Sequence, residues 1–122
     1  MLEPTAITAC PIMQRSTLDN LLSDLGFETY QHLLNLFEQE LIQLHLNLQT
    51  AVEQQQYQEI NNVTHILKNT AALYGAERLS KSACLVYQIE IGQAFIPQTQ
   101  QLIAILVETL RVFNVHIHSL VE

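Results

Sequence analysis

The sequence predicts an all-α protein, an up-and-down antiparallel four-helix bundle with a short extra helix at its N-terminal side. The first indication is size and composition: 122 residues, 48% of them apolar and 14% charged, suit one domain with one core. The second is that three glycines and three prolines are too few for the turns of a sandwich or barrel. The third is that Gly26, Gly75, Gly92 and Pro97 separate stretches in which apolar residues recur at helical spacing.

The N-terminal part of the chain divides into two segments. Residues 1–15 contain two prolines and show no clear period, so we expect a linker or an extended lead-in there and assign the bundle to residues 16–122. Ser16 precedes the acidic Asp19 by three positions, a pattern that can begin a short helix. The apolar residues of that helix are Leu18, Leu21, Leu22 and Leu25.

Four longer helices are expected at residues 27–55, 57–74, 76–91 and 98–120. In the first, apolar residues alternate in steps of four and three, as in a helix packed lengthwise against others. Short connections between all four favour the up-and-down arrangement. Residues 113–118 alternate apolar and polar and could locally form a strand, which would have no partner. The expected core positions are Tyr30, Leu34, Phe37, Leu41, Leu44, Leu48 and Ala51, then Ile60, Val63, Leu67, Ala71 and Tyr74, then Leu79, Ala83, Val86 and Ile89, and finally Ile103, Leu106, Leu110, Phe113, Ile117 and Leu120.

Charge and composition exclude several classes of function. The net charge of −7 has the wrong sign for a protein that neutralises nucleic-acid phosphates. No uninterrupted apolar run reaches the roughly 18 residues of a membrane span, and the N-terminus lacks a signal-peptide pattern, so we expect a cytoplasmic protein without direct membrane contact. We also expect the protein to be a monomer. Cys10 and Cys84 form no CxxC pair and are expected to be reduced.

Positive charge is concentrated in residues 68–81. Lys68, Arg78 and Lys81 stand there against Glu77, a net +2 in an acidic chain. Such a segment could attract an anion or an acidic partner. The alternative is a chance distribution of five charges.

His65 is the candidate for chemistry. On an ideal helix it lies roughly 160° from the centre of the apolar stripe between Ile60 and Tyr74, so the imidazole should face water. Lys68 follows one turn later, where its ammonium can stabilise negative charge near the imidazole. We expect the remaining neighbours on this face to form a docking surface with room for a macromolecule. They are Asn61, Asn69 and Ala72.

The run THILKNTAALYGAERL at residues 64–79 resembles the signature of histidine-containing phosphotransfer (HPt) domains of bacterial phosphorelays. His65, Leu67, Lys68, Gly75 and Leu79 match that signature in order and spacing, and the bundle from about residue 16 onward also looks like the HPt arrangement. One position departs from it. Asn69 stands where family members very often carry glycine, which puts the identity of the partner in question.

The resemblance implies that His65 accepts a phosphoryl group from a receiver-domain aspartate and passes it to another receiver domain. A neutral imidazole is a competent nucleophile near pH 7, and Lys68 can stabilise charge on the phosphoryl oxygens. The receiver would supply both the aspartate and Mg²⁺. The chain has no P-loop or glycine-rich nucleotide lid, so we expect a carrier rather than an enzyme, with no cofactor. It could be free-standing or the cytoplasmic C-terminal module of a hybrid sensor histidine kinase.

Three alternatives compete with a phosphohistidine carrier. A helical adaptor or dimerisation bundle would use apolar residues off the main seam, such as Ile105, Val112 and Val115. Zinc binding by the His-x-His pair at residues 116 and 118 is disfavoured because the two rings diverge on a helix and no third ligand completes a set, so no metal site is expected. The dimerising histidine domain of sensor kinases normally has an acid directly after its histidine, whereas Ile66 follows His65.

Overall fold

Six helices account for most of the residues that the structure describes. The structure, a computed structural model, describes residues 4–89, 92 and 94–120. No strand occurs within these ranges, and residues 113–118 are helical, so the predicted all-α class is confirmed. The helices are α1 (Pro4–Thr8), α2 (Arg15–Leu25), α3 (Phe27–Glu53), α4 (Tyr57–Leu73), α5 (Glu77–Gln88) and α6 (Phe95–Ser119).

The four long helices α3 to α6 close around one core. Each packs against the next in the chain, and α6 returns to pack against α3. Connections of a few residues between neighbouring helices produce this up-and-down order. The predicted extra helix is α2, which packs against α3, while α1 packs against α5.

The core follows the apolar seam of α3. All seven predicted positions of that helix are buried. The ring of Phe37 stacks on Tyr74 at a centroid distance of 4.3 Å and meets the edge of Phe113 at 5.2 Å. Towards the other end of the bundle, Tyr57 and Phe95 form a second edge-on pair at 5.7 Å. These aromatic contacts join α3, α4 and α6 along the length of the core.

The buried face of α6 differs from the predicted one. Leu102 and Ile105 are buried, whereas Ile103, Leu110 and Leu120 are only partly buried. Apolar residues occur around much of α6, so their spacing allows more than one seam, and the buried arc includes Leu102 and Ile105. The prediction that Ile105 lies outside the core was therefore wrong, and the further buried positions are Thr99 and Thr109. Their hydroxyls donate to the carbonyls of Phe95 and Ile105, which satisfies both polar groups.

Several helix ends differ from the sequence expectation. Helix α6 begins at Phe95, before Pro97, because a proline in the first turn lacks only an N–H that the helix does not use. Helix α2 begins at Arg15, one residue before Ser16, and no side-chain hydrogen bond caps its N-terminus. Helix α5 ends at Gln88, and the expected end at residue 91 lies outside the described residues.

Helix α6 is also apolar enough to be considered for a membrane. Within the described ranges it is the one helix whose length and mean hydropathy, 1.3 over an 18-residue window, would permit a span. Core helices of soluble proteins pass the same test. In this bundle α6 packs against α3 and α5 and buries Phe95, Leu106 and Phe113, which is the pattern of a core helix.

The segment before α2 lies against the turn between α4 and α5. The Arg78 amide donates to the Pro11 carbonyl at 2.9 Å, and its Nε donates to the Cys10 carbonyl at 2.8 Å. The Gln14 amide donates to the Gly75 carbonyl at 2.7 Å, and Ile7 is buried. The described part of the expected extended lead-in thus includes a short helix and contacts the bundle. A domain boundary at residue 16 stays a prediction.

Gly75 permits this close approach. Its φ of +77° is in the left-handed region, and a Cβ there would lie 2.9 Å from the Gln14 carbonyl oxygen and 3.0 Å from Thr17 Cβ. Both conditions favour glycine. The site where the lead-in crosses the bundle therefore depends on this residue.

We expect Gly75→Ala to lower the free energy of unfolding by about 2 kcal/mol through backbone strain and displacement of the lead-in. Amide hydrogen exchange should show faster exchange at Arg78 relative to the core of α3. Gly26→Ala is the matched control, because Gly26 also has a positive φ, +83°, but no heavy atom within 4 Å of its Cβ position. Unchanged exchange at Arg78 in Gly75→Ala would contradict this account.

His116 connects α6 to α2 and α3. Its Nδ1 lies 3.3 Å from the Arg15 guanidinium and its Nε2 lies 2.9 Å from the Tyr30 hydroxyl. Because arginine only donates, Nδ1 accepts and the ring is neutral, with its proton on Nε2. Burial lowers the pKa of His116, the positive charge of Arg15 lowers it further, and Asp19 partly opposes them.

Stability should therefore fall as the solution is acidified. The unfolded chain takes up a proton on His116 near the ordinary histidine pKa, whereas the folded chain does so only at lower pH. The contribution of neutral His116 to the free energy of unfolding is therefore present above about pH 6.5 and decreases as the pH falls below that value. We expect the stability difference between the parent and His116→Gln, measured by urea unfolding, to narrow from pH 7.5 to 5.5. The control is His118→Gln, at an exposed position, for which the stability difference from the parent should not narrow between these pH values. An equal stability difference between the parent and His116→Gln at pH 7.5 and at pH 5.5 would refute the assignment to His116.

Candidate functional site

The orientation of α4 places His65 in solvent. The turn before α4 places Gln55 at a positive φ of 56° and lets the Gln56 amide donate to the Ala51 carbonyl at 2.8 Å. Residues 57–73 contain no glycine or proline, so the helix runs without interruption. Its buried stripe faces the core and leaves His65 exposed on the opposite side, as predicted from the spacing. The stripe consists of Ile60, Val63, Thr64, Leu67 and Ala71.

Helix α5 supplies an aromatic ring to this site. The Tyr87 ring lies 5.3 Å from the His65 imidazole, centroid to centroid, with the planes tilted by 45°. The Lys68 Nζ lies 4.2 Å from the centre of the same ring, at the distance of a cation–π contact. Tyr87 therefore contacts both residues that the sequence singled out. Sequence analysis missed it, because only the packing of α5 on α4 brings residue 87 beside residue 65.

The register between α4 and α5 is fixed close to the site. The Ser80 hydroxyl donates to the Lys68 carbonyl at 2.7 Å, and the small residues Ala71 and Ala83 are buried. Leu85 and Val86, directly before Tyr87, are buried as well. The ring is thus carried by a well-packed part of α5.

An open cavity of about 640 Å³ lies beside His65. Its lining is mostly neutral and polar, and Asn61 contributes a buried Oδ1 for which the described residues offer no hydrogen-bond partner. The lining residues are Gln58, Asn61, Asn62, His65, Ile66 and Tyr87.

The other two predicted docking residues lie further along the same face. Asn69 is exposed, and its Nδ2 donates back to the His65 carbonyl at 3.3 Å. Ala72, two turns from His65, is exposed and lines a separate cavity of about 280 Å³ near Gly75 and Lys81. The structure thus brings Asn61 and Tyr87 to the cavity beside His65 and places Ala72 outside it.

The three positive charges of residues 68–81 have different surroundings. Arg78 binds the lead-in through the Cys10 carbonyl, Lys81 is exposed, and Lys68 lies over the Tyr87 ring. Across the described ranges, one ion pair is present, between Arg111 and Glu108. The ammonium of Lys68 is accordingly not neutralised by a carboxylate from that part of the chain.

The histidines and cysteines outside the site do not assemble a metal centre. In the part of the chain that the structure describes, no three His, Cys, Asp or Glu side chains group together in a way that could hold a metal ion. His116 is engaged by Arg15 and Tyr30, and His118 is exposed. Cys10 and Cys84 are free thiols.

A comparison with protein-family models identifies the class of protein. The model described as Hpt domain matches residues 32–111, about two thirds of the chain, including all of α4 and α5. The chain belongs to the Hpt family. No curated protein and no solved structure shows a significant match.

Membership of the Hpt family implies a general function. Hpt domains take part in histidine phosphotransfer in phosphorelays, interact with response-regulator receiver domains, and carry the phosphoryl group without a kinase site of their own. They are typically soluble and cytoplasmic.

Proposed function

We propose that this protein is a phosphorelay intermediate that accepts a phosphoryl group on His65 from the aspartate of one receiver domain and passes it to another. The supporting observation is the exposed imidazole of His65, opposite the buried stripe of α4 in an Hpt domain. The protein acts as a cytoplasmic monomer in this proposal, either alone or as a module of a hybrid sensor kinase.

The transfer uses the neutral imidazole as the nucleophile. A ring nitrogen of His65 donates its lone pair to phosphorus, and the P–O bond to the aspartate breaks with its electron pair left on the carboxylate. The proton on the other ring nitrogen stays in place, so the product is a phosphorylated imidazolium. The reverse reaction with a second aspartate regenerates neutral His65. The receiver contributes the aspartate and Mg²⁺.

Lys68 and the docking surface have separate roles in this transfer. The Lys68 ammonium, one turn along α4, stabilises negative charge on the phosphoryl oxygens. Asn61, Asn69 and Ala72 carry no charge and are short, which leaves space for a receiver to bring its aspartate to His65.

A helical adaptor or dimerisation bundle is the second candidate. It is favoured by three apolar side chains of α3 that are 46–51% exposed, Leu36, Ile42 and Leu46. The burial of Ile105 removes one of the residues that supported it from the sequence. In this alternative the His65 imidazole has no function, so the substitution of that residue separates the two candidates.

We expect His65→Gln to abolish phosphoryl acceptance while changing the free energy of unfolding by at most about 0.5 kcal/mol, because the side chain is exposed. The measurement is label transfer from a panel of phosphorylated receiver domains, with the label on the parent protein labile in acid and stable in base. His32→Gln, at an exposed position of α3, is the matched control and should accept label normally. Label on His65→Gln would assign the reaction to another histidine, and an unlabelled parent would favour the adaptor.

Bulk on the docking surface should block transfer without unfolding the protein. We expect Ala72→Arg or Asn69→Trp to reduce the rate from a receiver about tenfold or more, because the reacting atoms no longer reach bonding distance. Both positions are exposed, so the melting temperature should change little. Val115→Arg makes the matched addition at an exposed position of α6. Normal transfer in both α4 variants would mean that the receiver docks elsewhere.

A further inference from the structure

Among the residues that the structure describes, Tyr87 is the one aromatic side chain that contacts both His65 and Lys68. We propose that it is a positioning residue for phosphoryl transfer, which holds the Lys68 ammonium beside the imidazole through the face of its ring. This inference rests on the proposed function of His65. It adds a residue on α5 to a reaction otherwise carried by α4.

A lysine ammonium stays close to one point, such as the His65 imidazole, only when a contact restrains its side chain. Its four-carbon stem has many rotamers, and an unrestrained ammonium spends most of its time away from any one point. At 4.2 Å from the ring centre, the ammonium of Lys68 is held on the side of α4 that carries His65. The helix backbone is fixed at the same point, because the Lys68 carbonyl accepts from the Ser80 hydroxyl.

An aromatic ring suits this position better than a carboxylate. A carboxylate would hold Lys68 more strongly, but its charge would neutralise the ammonium and repel the phosphoryl oxygens. The ring attracts the ammonium through its quadrupole and adds no net charge. Lys68 can therefore leave the ring for the phosphoryl group as negative charge arrives at His65.

The same ring limits the movement of the imidazole. Tyr87 lies 5.3 Å from His65 between ring centres, and it is itself 41% exposed, with its position fixed by the buried Leu85 and Val86. A ring beside the imidazole reduces the side-chain conformations open to His65. Reaction then begins more often from a conformation in which the ring nitrogen faces the entering phosphorus.

The test uses phosphoramidate, a small phosphoryl donor, and the full chain. Tyr87 lines the cavity beside His65, so a receiver could be hindered by a substitution there for reasons of docking alone, whereas a small donor avoids that effect. The rate of phosphohistidine formation is followed by ³¹P NMR. We expect Tyr87→Leu to lower this rate about two- to fivefold, the factor that matches a cation–π contact at an exposed site, and Tyr87→Phe to retain the parent rate. Gln88→Leu places the same side chain at the exposed neighbouring position as a control.

A double-mutant cycle connects the effect to Lys68. Lys68→Ala should slow the reaction at least as much as Tyr87→Leu, and adding Tyr87→Leu to Lys68→Ala should cause only the smaller further loss that follows from freeing the imidazole. In ¹H NMR spectra, the Hε protons of Lys68 should be shifted upfield by the aromatic ring in the parent and in Tyr87→Phe. They should return to ordinary positions in Tyr87→Leu.

The outcomes distinguish the inference from the proposed function. If the parent takes up no phosphoryl group from phosphoramidate or from any receiver, the proposed function fails and this inference with it. If the parent reacts and Tyr87→Leu reacts equally fast, only the role of Tyr87 is refuted. A full further loss in the Lys68→Ala background, or a loss in Tyr87→Phe as large as in Tyr87→Leu, would likewise overturn the assignment to the ring face.

Discussion

The burial of one stripe of α4 determines the direction in which His65 points. Leu67 and Ala71 face the core, and the 100° step of the helix then turns residue 65 towards solvent. The rest of the bundle serves this arrangement: α3 and α5 cover the stripe from two sides, and α6 completes the enclosure. Exposure of the imidazole is therefore a product of core packing.

The chemistry of the site is spread over two helices with different tasks. Helix α4 carries the imidazole and the ammonium at a fixed separation of one turn, while α5 contributes the aromatic ring that both of them contact. The cavity beside His65 is lined by three carboxamide side chains, Ile66 and Tyr87, and Lys68 supplies the positive charge at this site. This division leaves the approach to the imidazole open and concentrates positive charge at one atom.

Sequence periodicity predicted the buried face well for α3 and less well for α6. The whole seam of α3 and the exposure of His65 follow from spacing alone. In α6 apolar residues occur on several faces of the helix, so spacing alone permits more than one seam, and Ile105 was placed off the seam although it is buried. Tyr87 could not be placed, because the register of α5 on α4 depends on contacts such as that of Ser80. The contact between residues 10–14 and the α4–α5 turn has no local signal in the sequence either.

The attachments of the N-terminal segment join parts of the chain that are far apart in sequence. Arg78 and the Cys10 carbonyl are 68 positions apart, and Arg15 and His116 are 101 apart. Ordering such large loops carries a greater entropic cost than forming the contacts between successive helices. We expect these attachments to form late in folding and to open first in native-state fluctuations. The bundle core could then remain intact while residues 4–15 detach, with α4 and its imidazole still in place.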